Sequence, residues 1–254
     1  MGFSDSFRNM PGVTKNLLII NVAIWLIMAA IHPVRLFLEQ YGALYYFTSD
    51  SFLPTQLITY MFIHANFMHL FFNMFALFMF GVTMERVLGG PKFLFYYISC
   101  GLGAALVQEG VFALMINHYA SVFENASSVT SLLRHATVTN TELYNIGVSP
   151  DEPIIYSLYA LYHTPVIGAS GAIFGILLAF GFMFPNVRLY LIFPPIPIKA
   201  KVFVMIYAGL ELCLGIYNSQ ADTVAHFAHL GGMLFGLLIL LYWRNKRIIG
   251  GPYY

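Results

Sequence analysis

Six apolar segments alternate with polar ones along the chain, at about 17–31, 56–83, 93–116, 166–184, 200–217 and 223–243. About 20 apolar residues in a helix are enough to cross the hydrocarbon core of a bilayer. The stretch at about 118–164 is rich in Ser, Thr, Asn and acidic residues and is too long for a simple turn, so we predict that it is an extramembrane insertion. The pattern predicts an all-α polytopic membrane protein, a bundle of six transmembrane helices forming a single domain over residues 1–254.

Composition supports this prediction and excludes several other classes of protein. Of the 254 residues, 59% are hydrophobic and 9% are charged, whereas a soluble domain has about 25% charged residues. A formal net charge of +1 gives no basic surface for nucleic acid. The two cysteines, Cys100 and Cys213, are too few for a disulfide framework or a zinc site. We therefore expect the lipid bilayer as a partner and no nucleic acid, cofactor or metal.

The lysines and arginines indicate the orientation of the helices. With a cytoplasmic N-terminus, ten basic residues fall in segments on the inside and two, Arg35 and Arg134, in segments on the outside. Such an asymmetry is the positive-inside signal. It predicts that both termini are cytoplasmic and that the 118–164 insertion faces outward. We expect a multi-pass protein of the bacterial inner membrane, with a eukaryotic organelle as the alternative.

Several polar residues lie inside the predicted spans, where such residues are costly and often functional. His69 and Asn73, four residues apart, share one face of the second helix, Ser170 opens the fourth, and His226 and His229 lie near the start of the sixth. All three helices run from outside to inside. Ser170 and His229 should therefore lie roughly 5–10 Å below the outer surface, with His69 further from the start of its longer helix.

These residue types suit acyl-transfer chemistry. A serine hydroxyl becomes a nucleophile when a base takes its proton, and His229 is the candidate base for Ser170. His69 and Asn73 are candidate donors to the oxyanion that forms on attack. Small residues allow close helix packing, which we expect at Gly168 and at two pairs spaced by four, Gly171 with Gly175 and Gly232 with Gly236.

In these motifs the sequence resembles the rhomboid family of intramembrane serine proteases. The matching residues are His64…His69-x-x-x-Asn73 in the second span, Gly168-x-Ser170-Gly171 in the fourth and Ala228-His229-x-Gly231-Gly232 in the sixth. Each motif alone is common, but their order and helix placement together are specific. The resemblance implies a rhomboid-like six-helix bundle.

The resemblance also implies roles for individual residues. Ser170 and His229 would form a dyad without an acidic third member, Phe174 would pack on the imidazole, and His69 and Asn73 would stabilise the oxyanion. The enzyme would cleave transmembrane protein substrates near the outer bilayer boundary through an acyl-enzyme. The fifth helix and the loop Tyr217–Asp222 would act as lateral gate and cap.

Other interpretations of these residues stay open. A rhomboid-like pseudoprotease would bind membrane helices without cutting them, although the retained Ser170 and His229 argue against it. A transporter would show an inverted repeat, and none is visible in the sequence. His226 competes with His229 as the base. Glu109 and Glu211, inside the third and fifth spans, have no cation within their own span. Each is expected to be protonated, bonded to a neighbouring helix or close to the interface, and we interpret both as structural.

Overall fold

The computed structural model describes residues 9–190, 196–217 and 225–249, and this part of the chain is almost entirely helical. The elements are α1 (Gly12–Ala30), α2 (His32–Gly42), α3 (Gln56–Thr59), α4 (Phe67–Leu88), α5 (Gly90–Ala120), α6 (Ala126–Leu133), α7 (Asn140–Asn145), α8 (Pro153–His163), α9 (Ser170–Met183), β1 (Arg188–Tyr190), β2 (Pro197–Lys199), α10 (Ala200–Tyr217) and α11 (His226–Asn245). Helices α1, α4, α5, α10 and α11 are long and apolar enough to cross a membrane, and α9 is a shorter apolar helix. The predicted all-α bundle is confirmed.

The second apolar segment differs from its prediction. It was predicted as one helix over 56–83, but α4 begins at Phe67, and residues before it form the short helix α3 and a 3-10 turn. The Asn66 side chain accepts a hydrogen bond from the backbone N–H of His69, which starts α4. Upstream, the Gln56 side chain bonds to loop backbone, accepting from Leu53 and donating to Ser51. His69 therefore lies in the first turn of α4, not deep within a longer helix.

Other boundaries differ less. Helix α1 begins at Gly12 rather than near 17, and α5 extends to Ala120, beyond the predicted end near 116. The first loop contains α2, which the sequence analysis did not predict and which has Pro33 in its first turn, a position that suits proline. The break before α10 contains an antiparallel hairpin of β1 and β2. The cap predicted at Tyr217–Asp222 lies, after its first residue, outside the described residues.

Helix α9 is the central element of the bundle and packs against α5 and α11. It buries eleven of its fourteen residues, which explains why its sequence is apolar on all sides. Helix α5 holds both neighbours through side-chain bonds to their backbone. Tyr96 donates to the carbonyl of Gly175 on α9, and Gln108 accepts from the N–H of Ala228 on α11. These bonds fix the relative positions of the helices that carry Ser170 and His229.

The insertion has a small hydrophobic core of its own. Buried side chains of α6, α7 and α8 form one cluster with Ile116 near the end of α5. The insertion also contacts the first loop, because Asp50 pairs with His135 at 2.6 Å and its N–H donates to the carbonyl of Arg134. The insertion is thus an ordered layer at the end of α5. That this layer lies outside the membrane remains a prediction.

The N-terminus of α1 is capped by a side chain from a distant part of the chain. Pro11 precedes α1 and provides no side-chain cap. Instead, the carboxylate of Glu85 on α4 accepts from the backbone N–H of Val13 at 2.9 Å, and from the N–H and hydroxyl of Thr14 at 2.6 and 2.7 Å. A negative group at this end also complements the helix dipole. Glu85 therefore fastens α1 to α4.

We expect that Glu85→Ala destabilises the protein by about 3 kcal/mol, because it leaves buried donors of α1 without an acceptor. Unfolding in mixed micelles, followed by circular dichroism, measures this change. The matched control is Glu39→Ala, since Glu39 is part of an exposed i,i+4 pair with Arg35 worth about 0.5 kcal/mol at most. Equal losses in the two variants would contradict the capping role.

Candidate active site

The backbone before α9 presents Ser170 at the start of that helix. Gly168 has a φ of +116°, in the region that favours glycine. A Cβ at Gly168 would also lie 2.6 Å from Nε2 of His69, so the position excludes a side chain on two grounds. The Gly168 N–H donates to the carbonyl of Tyr60, and Val166 and Leu44 form a short antiparallel bridge. These contacts fix where α9 begins.

Ser170 and His229 are in direct contact. The Oγ of Ser170 lies 2.8 Å from Nε2 of His229, which is buried. The two helices approach closely enough because glycines face one another. A Cβ on Gly232 of α11 would overlap the carbonyl of Gly171 on α9. The glycine spacing in the sequence predicts this close approach.

The remaining glycines singled out in the sequence pack against α5 as well. A Cβ on Gly171 would overlap Ala104, a Cβ on Gly175 would overlap Cys100, and a Cβ on Gly236 would overlap the Tyr96 hydroxyl; all three partners are on α5. The small residues therefore make a three-helix contact rather than a two-helix one.

Phe174 lies one helical turn after Ser170 and covers one face of the imidazole. Its ring is stacked on that of His229, with centroids 4.1 Å apart and planes 6° apart. The ring of Tyr207 on α10 is also stacked on Phe174, with centroids 5.2 Å apart. The stacking limits rotation of the imidazole plane, and it therefore also limits the directions in which the two ring nitrogens can form hydrogen bonds.

His69 faces the same place from α4. Its Nδ1 lies 3.5 Å from the backbone N–H of Ala65, a long contact, and its Nε2 points toward Gly168, next to Ser170. If Nδ1 accepts, Nε2 carries the proton and is a donor toward that space. Asn73 donates one amide hydrogen to the carbonyl of His69 at 2.9 Å, which leaves its second amide hydrogen as a further donor. His64 stacks edge-on against His69 at 5.0 Å.

The structure differs from the expectation that no acidic group joins Ser170 and His229. Glu211 of α10 is buried, and its Oε2 lies 2.8 Å from Nδ1 of His229 and 2.6 Å from Nδ1 of His226. Glu211 was interpreted as structural because its own span contains no cation, although a bond to a neighbouring helix was one of the alternatives. The signal in the sequence that could have indicated this contact was a carboxylate in one apolar helix followed by two histidines, three residues apart, in the next. Glu109, by contrast, accepts from the N–H of Phe47.

Glu211, His226 and His229 also have the atom types of a metal site, with ligand atoms within 4.8 Å of one another. A tetrahedral zinc site with bonds of 2.0–2.1 Å separates its ligands by about 3.3 Å. The two Nδ1–Oε2 distances, 2.6 and 2.8 Å, are shorter and have the length of direct hydrogen bonds. The arrangement therefore fits two imidazole N–H groups that share one carboxylate oxygen.

The sequence is similar to known proteins over most of its length. The Rhomboid domain profile matches residues 53–246, most of the chain. Rhomboid protease AarA of Providencia stuartii is 29% identical over 180 residues, 70% of this chain and 52% of the relative. An uncharacterized mitochondrial rhomboid protein of Schizosaccharomyces pombe is 28% identical over 207 residues, 76% and 52% of the two chains. Mitochondrial rhomboid protein 1 of Saccharomyces cerevisiae is 28% identical over 182 residues, 70% and 38%.

The alignments cover only part of those relatives. The chain spans about half the length of the first two and less of the third. Two of the three are mitochondrial by name and one is bacterial, so the bacterial inner membrane stays a prediction for this chain. The matched region contains Ser170, His229, His69, Asn73 and Glu211.

Proposed function

The chain belongs to the rhomboid family, and from that membership we propose that it is an intramembrane serine protease. It is an integral, multi-pass membrane protein. The observation that supports the proposal most strongly is the 2.8 Å contact between Ser170 Oγ and His229 Nε2. A serine hydroxyl and an imidazole at this distance are a nucleophile and its base in acyl-transfer enzymes.

In the proposed reaction, Ser170 Oγ attacks the scissile carbonyl carbon while its proton passes to Nε2 of His229. The leaving amine then takes that proton, which completes an acyl-enzyme, and a water molecule activated by His229 hydrolyses the ester. Phe174 holds the imidazole plane throughout. His69, Asn73 and the N–H of Ser170 are the candidate donors to the oxyanion. No step requires a metal or an organic cofactor.

The depth of Ser170 supports transmembrane segments as substrates. Helix α9 has fourteen residues, about 21 Å at 1.5 Å per residue, whereas the hydrocarbon core is about 30 Å thick. If α9 ends at the opposite surface of the bilayer, a helix of this length does not reach the near surface. Ser170, its first residue, then lies below that near surface. A substrate must unwind locally to expose a carbonyl there, so we propose cleavage near the outer boundary at small or helix-breaking residues.

Labelling with a fluorophosphonate tests the proposal, because the reagent reacts with an activated serine. We expect the purified chain in detergent to be labelled at Ser170, and the Ser170→Ala variant to stay unlabelled. Fluorescent single-span peptides with glycine and proline near the outer end should be cleaved by the protein that is labelled and not by Ser170→Ala. A folded wild-type protein that binds such peptides but is neither labelled nor active would instead support the pseudoprotease alternative.

We expect His69→Ala to lower kcat about 100-fold with little change in KM, because one oxyanion donor is removed and the donor acts mainly in the transition state. Steady-state cleavage of a fluorescent single-span peptide in liposomes measures both constants. His32→Ala is the control, since His32 is exposed at the start of α2. A His69→Ala variant with the kcat of the control would contradict this role.

A further inference from the structure

We propose that Glu211 is a positioning residue for the Ser170–His229 pair, so that the site is a serine–histidine–carboxylate arrangement. This inference rests on the proposed protease function and deepens it. It assigns a role to a carboxylate from α10, a helix different from those that carry the nucleophile and the base.

The hydrogen bonds define which nitrogen of His229 carries a proton. A carboxylate accepts hydrogen bonds but donates none, so the 2.8 Å contact of Glu211 Oε2 with Nδ1 requires an Nδ1–H group. In the neutral imidazole, Nε2 then has the lone pair, and it lies 2.8 Å from Ser170 Oγ. This is the tautomer that a general base for Ser170 needs. The opposite tautomer would place a proton between Nε2 and Oγ.

Charge makes the same arrangement favourable during the reaction. His229 becomes positive when it takes the serine proton, and the adjacent carboxylate stabilises an imidazolium in that position. Glu211 is 7% exposed, and a carboxylate so buried requires donors to compensate for lost hydration. The two Nδ1–H groups of His226 and His229 supply them. His226 thus helps to hold Glu211, and Glu211 orients His229.

The burial pattern of α10 shows that the carboxylate is a local anchor. The helix buries Ala200, Val204 and Glu211, whereas neighbours of Glu211 such as Leu212 are exposed, with 46% of Leu212 accessible. In the second half of α10, Glu211 is therefore the one buried residue, and its carboxylate contacts the base. The position of α10 and the orientation of His229 are coupled through these hydrogen bonds.

The experiment compares Glu211→Gln with wild type in the reconstituted chain of 254 residues. Glutamine keeps the shape and one acceptor oxygen but loses the charge. We expect kcat and the rate of fluorophosphonate labelling to fall about 100-fold, the loss typical of a misplaced catalytic group, with KM within about twofold of wild type. Glu109→Gln is the matched control, because it neutralises another buried carboxylate that bonds to Phe47, and its kcat should stay near wild type.

A spectroscopic measurement separates positioning from a purely structural role. Nitrogen-15 spectra of histidine-labelled protein in micelles distinguish the two neutral tautomers, and a His229→Gln variant identifies the signal. We expect the Nδ1–H tautomer in wild type and a mixture in Glu211→Gln. A wild-type His229 in the other tautomer, or a Glu211→Gln variant with wild-type kcat, would overturn the inference.

The outcomes for the two proposals are distinguishable. Wild-type protein that fluorophosphonate does not label counts against the protease itself, whereas equal labelling of wild type and Glu211→Gln counts only against Glu211. If Glu211→Gln does not fold, Glu211→Asp takes its place. The shorter side chain withdraws the carboxylate from Nδ1, so we expect about a tenfold loss in kcat, and an unchanged kcat would overturn the inference.

Discussion

Replacing Ser170 by alanine should reduce cleavage of a transmembrane peptide by about six orders of magnitude, in practice to background. The Oγ that lies 2.8 Å from Nε2 of His229 is the proposed nucleophile, and no acyl-enzyme can form without it. His229→Ala should have nearly the same effect, because the hydroxyl loses its base. The double variant should be no worse than either single one, since the two groups act as a unit.

Gel-based cleavage and fluorophosphonate labelling in liposomes measure these losses, and unchanged melting temperatures show that the variants fold. His226→Ala tests the base assignment, because His226 contacts Glu211 through Nδ1. We expect a smaller loss than for His229→Ala. Wild-type cleavage by Ser170→Ala would eliminate the proposed nucleophile. A His226→Ala variant that is inactive while His229→Ala is active would reverse the assignment.

Gly232→Ala should separate α9 from α11 and damage both stability and activity. The added methyl group would overlap the carbonyl of Gly171, a backbone atom that cannot rotate away. We expect a loss of about 3 kcal/mol in the free energy of unfolding, the upper range for overpacking. We also expect about a 100-fold fall in kcat, because a shift of about 1 Å between Ser170 and His229 is enough for that.

The matched control is Gly110→Ala on α5, where an added Cβ meets nothing within 4 Å. Alanine is the better helix former there, so this variant should be as stable as wild type or slightly more so. Unfolding in mixed micelles and peptide cleavage in liposomes provide the two measurements. If Gly232→Ala retained the stability and kcat of Gly110→Ala, the close contact between α9 and α11 would not be needed for the site.

The fold class was predictable because its signal is local. Apolar segments of about 20 residues and scarce charges predict membrane helices without knowledge of tertiary contacts. The start of α4 was not predictable from hydropathy, because Leu57 to Ile63 are nearly as apolar as the helix that follows. What divides them is the hydrogen bond of Asn66 at the start of α4, while Gln56, the first residue of α3, bonds the backbone of the loop before it.

The candidate site divides in the same way. Ser170, His229, His69 and Asn73 stand in motifs with fixed spacing, so the sequence places them in the correct helices. Their catalytic roles remain predictions. Glu211 stands in no such motif, and its contact with His229 depends on the rotation and height of α10 relative to α11. Those quantities arise from packing, which the sequence of one span does not reveal.

The bonds from α5 to its neighbours have a consequence for sequence divergence. Tyr96 and Gln108 reach a carbonyl on α9 and an N–H on α11, and Tyr60 in turn bonds the carbonyl of Gly101 on α5. Main-chain atoms are the same for every amino acid except that proline lacks the N–H. The bonds themselves therefore place no requirement on the side chains of the bonded residues, whereas Gly175 and Gly101 are restricted to glycine because a Cβ there would overlap Cys100 and Met61.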